Sequence, residues 1–104
     1  MSERQVVLRE LKKQFKQGPK LSPFLFTQKA REGDVAMYHI TKGDCDIGYE
    51  VFLIRRQRVN NFLHKEIYAQ EKDFWVSAFS YATLELAKWG YEKMKKEKEN
   101  ERRF

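Results

Sequence analysis

The sequence predicts an α+β domain. Its expected core is a three-stranded antiparallel sheet with a C-terminal helix packed on it and an N-terminal helix in front (α-β-β-β-α). Three observations carry that prediction. Apolar residues alternate in short runs between positions 35 and 79, which suits pleated strands. An apolar stripe at helical spacing follows from Leu84 to Met94. A second stripe at helical spacing opens the chain.

Taken in order, Ser2 and Gln5 match a capping box, in which a side-chain oxygen satisfies an exposed amide of the first turn. Val7, Leu8, Leu11 and Phe15 then recur at helical spacing before Gly18-Pro19 stops the run, predicting a helix from about Glu3 to Gln17. Between Lys20 and Gly33, Ser22-Pro23 has the chemistry of a helix start. Phe24-Leu25-Phe26-Thr27 would serve equally well as a strand, and the helix or an irregular turn is preferred.

Val35 to Thr41 reads as the first strand, followed by a turn rich in Gly and Asp. Tyr49 to Ile54 is the strongest strand. Its two alternating sets, Tyr49, Val51 and Leu53 against Phe52 and Ile54, are both apolar, which places it inside a sheet. Arg55-Arg56-Gln57-Arg58 leads into a polar loop at Asn60-Asn61, and Lys65 to Gln70 forms its rising arm or a short strand. Phe74 to Phe79 is the third strand. The final helix begins near Thr83, with Leu84, Ala87, Tyr91 and Met94 inward and Gly90 at the stripe's edge, where it permits close approach to the sheet. Residues 1–94 are expected to form one domain, and 95–104 a charged helical extension or tail.

A chain of 104 residues with 41% hydrophobic and 14% aromatic residues fills one core. The net charge of +6 favours a polyanionic partner such as nucleic acid, although Lys and Arg are interspersed with Glu nearly throughout. The single cysteine, Cys45, excludes an intramolecular disulfide and fits a reducing compartment. No apolar stretch is long enough for a signal peptide or a membrane span, so a cytoplasmic protein without membrane contact is expected.

Candidates for chemistry are few. His39 and His64 show no metal-ligand spacing, and Cys45 lies between Asp44 and Asp46, whose charges disfavour a thiolate. Asp44, Asp46 and Glu50 around Gly48 do not follow a calcium-loop order. No catalytic residue, metal or cofactor is therefore expected.

Three surfaces are candidates for binding. Arg55, Arg56, Arg58, Asn60, Asn61 and Lys65, with His64, combine guanidinium forks for phosphates with amides for base edges, or are solvated residues at the end of a sheet. Trp89 falls off the inward stripe among Glu85, Glu92, Lys93 and Lys96, where it contacts a partner protein or covers a sheet edge or the first helix. The sheet face bearing Tyr38, Phe52 or Trp75, opposite the last helix, is expected to be covered by the first helix. If open, it would offer a stacking platform or a dimer interface.

At Tyr49-Glu50-Val51-Phe52 and at Phe79 through Ala87, the chain resembles short uncharacterised bacterial and phage proteins. These pair a Y-E-V strand with an aromatic strand running into a T-L-E-x-A helix. The resemblance covers about Tyr49 to Met94 and implies no function, and Ala82 stands where Ser or Thr would strengthen it. Three strands before a helix are also similar to the AP2/integrase-type arrangement, and a helix ahead of the strands adds a similarity to the double-stranded-RNA-binding arrangement, without either family's signature. The expectation is a non-enzymatic basic binding module, a nucleic-acid-binding accessory protein or else a protein-interaction module of phage or mobile-element origin.

Overall fold

The computed structural model describes residues 7–102. The capping box predicted at Ser2 and Gln5 lies outside them. The described residues form eight strands and one long helix: β1 (Val7–Arg9), β2 (Gln14–Gln17), β3 (Phe24–Glu32), β4 (Val35–Lys42), β5 (Cys45–Leu53), β6 (Arg55–Asn60), β7 (Leu63–Ile67), β8 (Ala78–Tyr81) and α1 (Leu84–Arg102). A 3-10 turn at Glu71–Asp73 precedes β8. Five strands form one sheet in the order β2-β3-β4-β5-β8, and three form a second in the order β1-β7-β6. The architecture is therefore mostly β with a C-terminal helix. The three-stranded sheet behind an N-terminal helix is overturned.

β5 is the interior strand its apolar alternation predicts, antiparallel to β4 on one side and β8 on the other. One side of the sheet presents Val35, Met37, Tyr49 and Val51, against which α1 packs Ala87, Tyr91 and Met94. Leu84, assigned to the same stripe, stays partly exposed. Thr83 starts the helix, its Oγ1 accepting from the Leu86 amide at 3.3 Å.

The other side presents Ala36, Tyr38, Phe52 and Ile54. No helix covers it. Phe15 of β2 stacks on Phe26 of β3 at 4.9 Å, and Tyr68 stands edge-on to Phe15, Phe26 and Tyr38. Each such ring taken from water contributes roughly 1.5–3 kcal/mol, so this lid is a major part of the core.

Three expectations are corrected by these contacts. Within the described part of the predicted N-terminal helix lie two short strands. Phe15 is drawn into the aromatic cluster, and Leu11 gives its amide to Glu66 at 3.0 Å. The segment from Lys20 to Gly33, preferred as a helix or turn, contains the nine-residue strand β3, whose register runs Leu25↔Thr41 to Glu32↔Val35. The third strand begins at Ala78 rather than Phe74, because Phe74 to Ser77 form a turn closed by Val76 and Ser77 amides donating to the Asp73 carbonyl.

The three Arg55–Arg58 arginines and Asn60 lie in a strand, not a loop. β5 continues through buried Ile54, whose amide bonds the Asp34 carbonyl at 2.6 Å, directly into β6. The second sheet is anchored to the first by Glu66, a buried carboxylate on β7. Its Oε1 and Oε2 accept from both terminal nitrogens of Arg31 on β3 at 2.7 and 2.6 Å. Arg31 holds the Glu66 carboxyl below the usual carboxylate range, against the opposing effect of burial.

Candidate functional site

The second sheet defines the first candidate surface. Its register places Arg9 directly opposite Lys65 across the parallel β1–β7 pair, and Gln57 of β6 opposite Lys65 on the far side. All three are exposed. Adjacent like charges in register repel, so this row is destabilising in isolation. Among the described residues neither cation is in an ion pair. The run from 9 to 20 adds exposed Lys12, Lys13, Lys16 and Lys20 against one acid, Glu10.

The arginines singled out in the sequence are occupied differently. Arg55 donates to Gln70 and to the Asp73 carboxylate at 3.1 and 3.0 Å. Arg56 bridges Asp34 at 2.9 Å and reaches Glu66 at 3.5 Å. Arg58 is bonded to the Asn61 side-chain oxygen, and the Asn60 oxygen accepts the Phe62 amide at 2.8 Å within the hairpin turn. Arg55 and Arg56 thus tie the second sheet to its neighbours. Lys65 remains available, and it is joined by Arg9, which only the strand pairing could reveal.

A second candidate surface lies where β8 meets α1. Trp75, Phe79, Tyr81, Trp89, Gly90, Lys93, Met94 and Glu97 line an open groove of about 340 Å³. Trp89 is exposed, as its position off the inward stripe predicts, and Lys93 Nζ lies 5.1 Å from its ring centre. Trp75 was assigned to a strand; instead it occupies a turn at φ 72°, a left-handed conformation uncommon for a bulky residue. Its amide donates to the Ala78 carbonyl at 2.7 Å, and its ring meets Phe79 edge-on.

Gly90 fits beneath Tyr81 so closely that a Cβ there would overlap the Tyr81 ring and hydroxyl. Gly90→Ala is therefore expected to destabilise by about 1–2 kcal/mol. The crowding outweighs the roughly 1 kcal/mol by which alanine favours a helix. In a Tyr81→Ala background the same change is expected to stabilise, and urea melts of the four proteins measure the reversal.

Among the described residues the other polar groups are placed as follows. His39 stacks on Tyr49 and its Nε2 lies 2.9 Å from Asp46, while Cys45 is exposed at the start of β5. Glu50 accepts from Tyr68 at 2.5 Å beside an apolar hollow of about 250 Å³ edged by Phe24, Phe26 and Ile40. Burial raises the Glu50 carboxyl, and bonds from Tyr68 and Ser80 oppose that rise. Among the described residues no three His, Cys, Asp or Glu side chains gather as a metal site. None of the described helices is long and apolar enough to cross a membrane.

Fold and surfaces together define a small β-rich module with a basic sheet and an aromatic groove. No protein-family model, curated protein or solved structure matches the chain.

Proposed function

We propose that the chain is a non-enzymatic, cytoplasmic nucleic-acid-binding accessory module whose contact surface is the β1-β7-β6 sheet. The observation that carries this reading is the in-register pair Arg9 and Lys65, two exposed cations side by side, neither of them in an ion pair among the described residues. A polyanion relieves their repulsion, and a pair of strands has the width to enter the major groove of a duplex. The side-chain amides of Asn60 and Asn61 sit at the hairpin end, Arg58 lies opposite His64 on the face away from Lys65, and Arg55 and Arg56 tie the ribbon to Asp73 and Asp34.

Retention of duplex DNA and of single-stranded RNA is measured against salt. Affinity is expected to fall linearly with log salt, and Arg9→Ala with Lys65→Ala to reduce that slope by about two. Arg55→Ala serves as the contrast: it is expected to lower thermal stability more than the salt slope. Absence of binding at low ionic strength, or an unchanged slope in the double variant, overturns the reading.

A protein-interaction module is the second reading, favoured by the exposure of Trp89 beside Trp75 in one groove.

A further inference from the structure

The two sheets have four outer strands, β1, β2, β6 and β8. An outer strand exposes unpaired amides and carbonyls, and proteins discourage stray pairing there with charged side chains. β1 carries Arg9, β2 carries Lys16, and β6 carries three arginines. β8, Ala78-Phe79-Ser80-Tyr81, carries no charge. It is also the edge beside which the most water-exposed aromatic side chains among the described residues stand, with Trp75 at 73% and Trp89 at 58% exposure.

The hydrogen-bond pattern shows what that edge offers. Leu53 donates to the Ser77 carbonyl, which fixes the alternation along β5 and β8: Phe79 and Tyr81 bond inward to β5, and Ser80 directs its amide and carbonyl outward. The Ala78 carbonyl is already taken by Trp75. The open edge is therefore short and centred on Ser80, enough for two reciprocal bonds between antiparallel strands. The groove beside it also carries one charge of each sign one helical turn apart, Lys93 and Glu97, which form no ion pair with each other among the described residues. A two-fold axis passing between these side chains would set Lys93 of one molecule against Glu97 of the other.

We infer that the β8–α1 face is a self-association surface, on which a second copy of this chain seats with β8 against β8 about Ser80 and with Trp75 and Trp89 covered between the copies. The left-handed Trp75 turn fits this role. Such a conformation costs on the order of 1–3 kcal/mol, and it displays a large apolar side chain that burial between copies would remove from water. The charge pairing sets partner choice, since a surface bearing Lys93 and Glu97 is complementary to itself.

Sedimentation equilibrium on the full chain tests this with charge reversals on the exposed helix face, and thermal melts confirm folding of each variant. The wild type is expected to dimerise, and Lys93→Glu or Glu97→Lys alone to weaken the dimer by about tenfold or more. The Lys93→Glu/Glu97→Lys double variant is expected to dimerise again. An equimolar mixture of the two single variants is expected to form the mixed dimer, in which every facing pair is again opposite in sign. A wild type that stays monomeric at about 200 µM, a concentration that detects even weak pairing, overturns the inference. So does a dimer indifferent to both reversals, which would place the interface elsewhere.

Discussion

Glu66→Gln is expected to lower stability by about 3 kcal/mol. The Glu66 carboxylate is buried on β7 and accepts from Arg31 through both oxygens, from the Leu11 amide, and from Arg56. Glutamine keeps one acceptor oxygen. Its amide nitrogen then faces the guanidinium groups, so donors meet donors at a side chain that is itself buried. For a domain of this size the loss corresponds to a fall of roughly 12–20 °C in melting temperature. The effect should also be regional. β6 and β7 are held to the five-stranded sheet through Glu66, so their amides should exchange with solvent sooner than those of β4 and β5.

The same carboxylate makes stability depend on pH. Its folded-state pKa lies below the ordinary glutamate value, because Arg31 and the Leu11 amide favour the charged form. Acid therefore adds a proton more readily to the unfolded chain. The contribution is complete above the ordinary glutamate value and disappears as pH falls through the lower folded value. Asp73 acts in the same direction, lowered by the Gln70 amide and by Arg55. Urea midpoints measured from neutral pH downward should fall for the wild type and fall less steeply for Glu66→Gln. Identical acid limbs in the two proteins would remove Glu66 as the source.

What was legible in the sequence were the elements whose signal is local. The double apolar alternation from Tyr49 to Ile54 marked an interior strand, and the spacing of Ala87, Tyr91 and Met94 marked the buried side of α1 and put Trp89 outside it. The misread elements are set by distant partners. Leu8, Leu11 and Phe15 sit three and four apart, as a helix would have them. Yet Phe15 is fixed by stacking on Phe26, and β1 by pairing with β7 more than fifty residues away. Arg55 to Arg58 has little intrinsic strand preference. It is extended because β5 runs straight into it and because Asp34, Asp73 and Glu66 meet its guanidinium groups. The same non-local pairing explains why Arg9 escaped notice as a site residue: nothing near it in the chain puts it beside Lys65. Trp75, expected on the sheet face away from the last helix, lies instead beside that helix, because a strand pattern has no place for a left-handed residue. Asp73, whose carboxylate accepts the Gln70 amide at the start of this turn region, was the available clue.

Gly48→Ala is the second substitution with a large expected effect, and here the cause is backbone rather than charge. Gly48 lies in β5 at φ 146°, opposite Ile40 and next to an irregularity in the β4–β5 register. Two costs combine at this point. The conformation is one that side-chain-bearing residues avoid, at about 1–3 kcal/mol. An added Cβ would also lie 2.9 Å from the Tyr81 carbonyl oxygen of β8. That oxygen belongs to the paired backbone and cannot swing aside as a side chain could. Relieving the contact means prising β8 away from β5, so the combined loss should reach roughly 3 kcal/mol or more. Because β8 carries Phe79 and Tyr81 into the groove beside Trp89, the damage should register there. The fluorescence of Trp75 and Trp89 should change at denaturant concentrations below the global transition. Gly33→Ala supplies the comparison. That glycine also has positive φ, at 60°, but a Cβ there meets nothing within 4 Å. It should cost only the conformational part, about 1 kcal/mol. Equal losses at the two glycines would show that the Tyr81 carbonyl does not constrain β5.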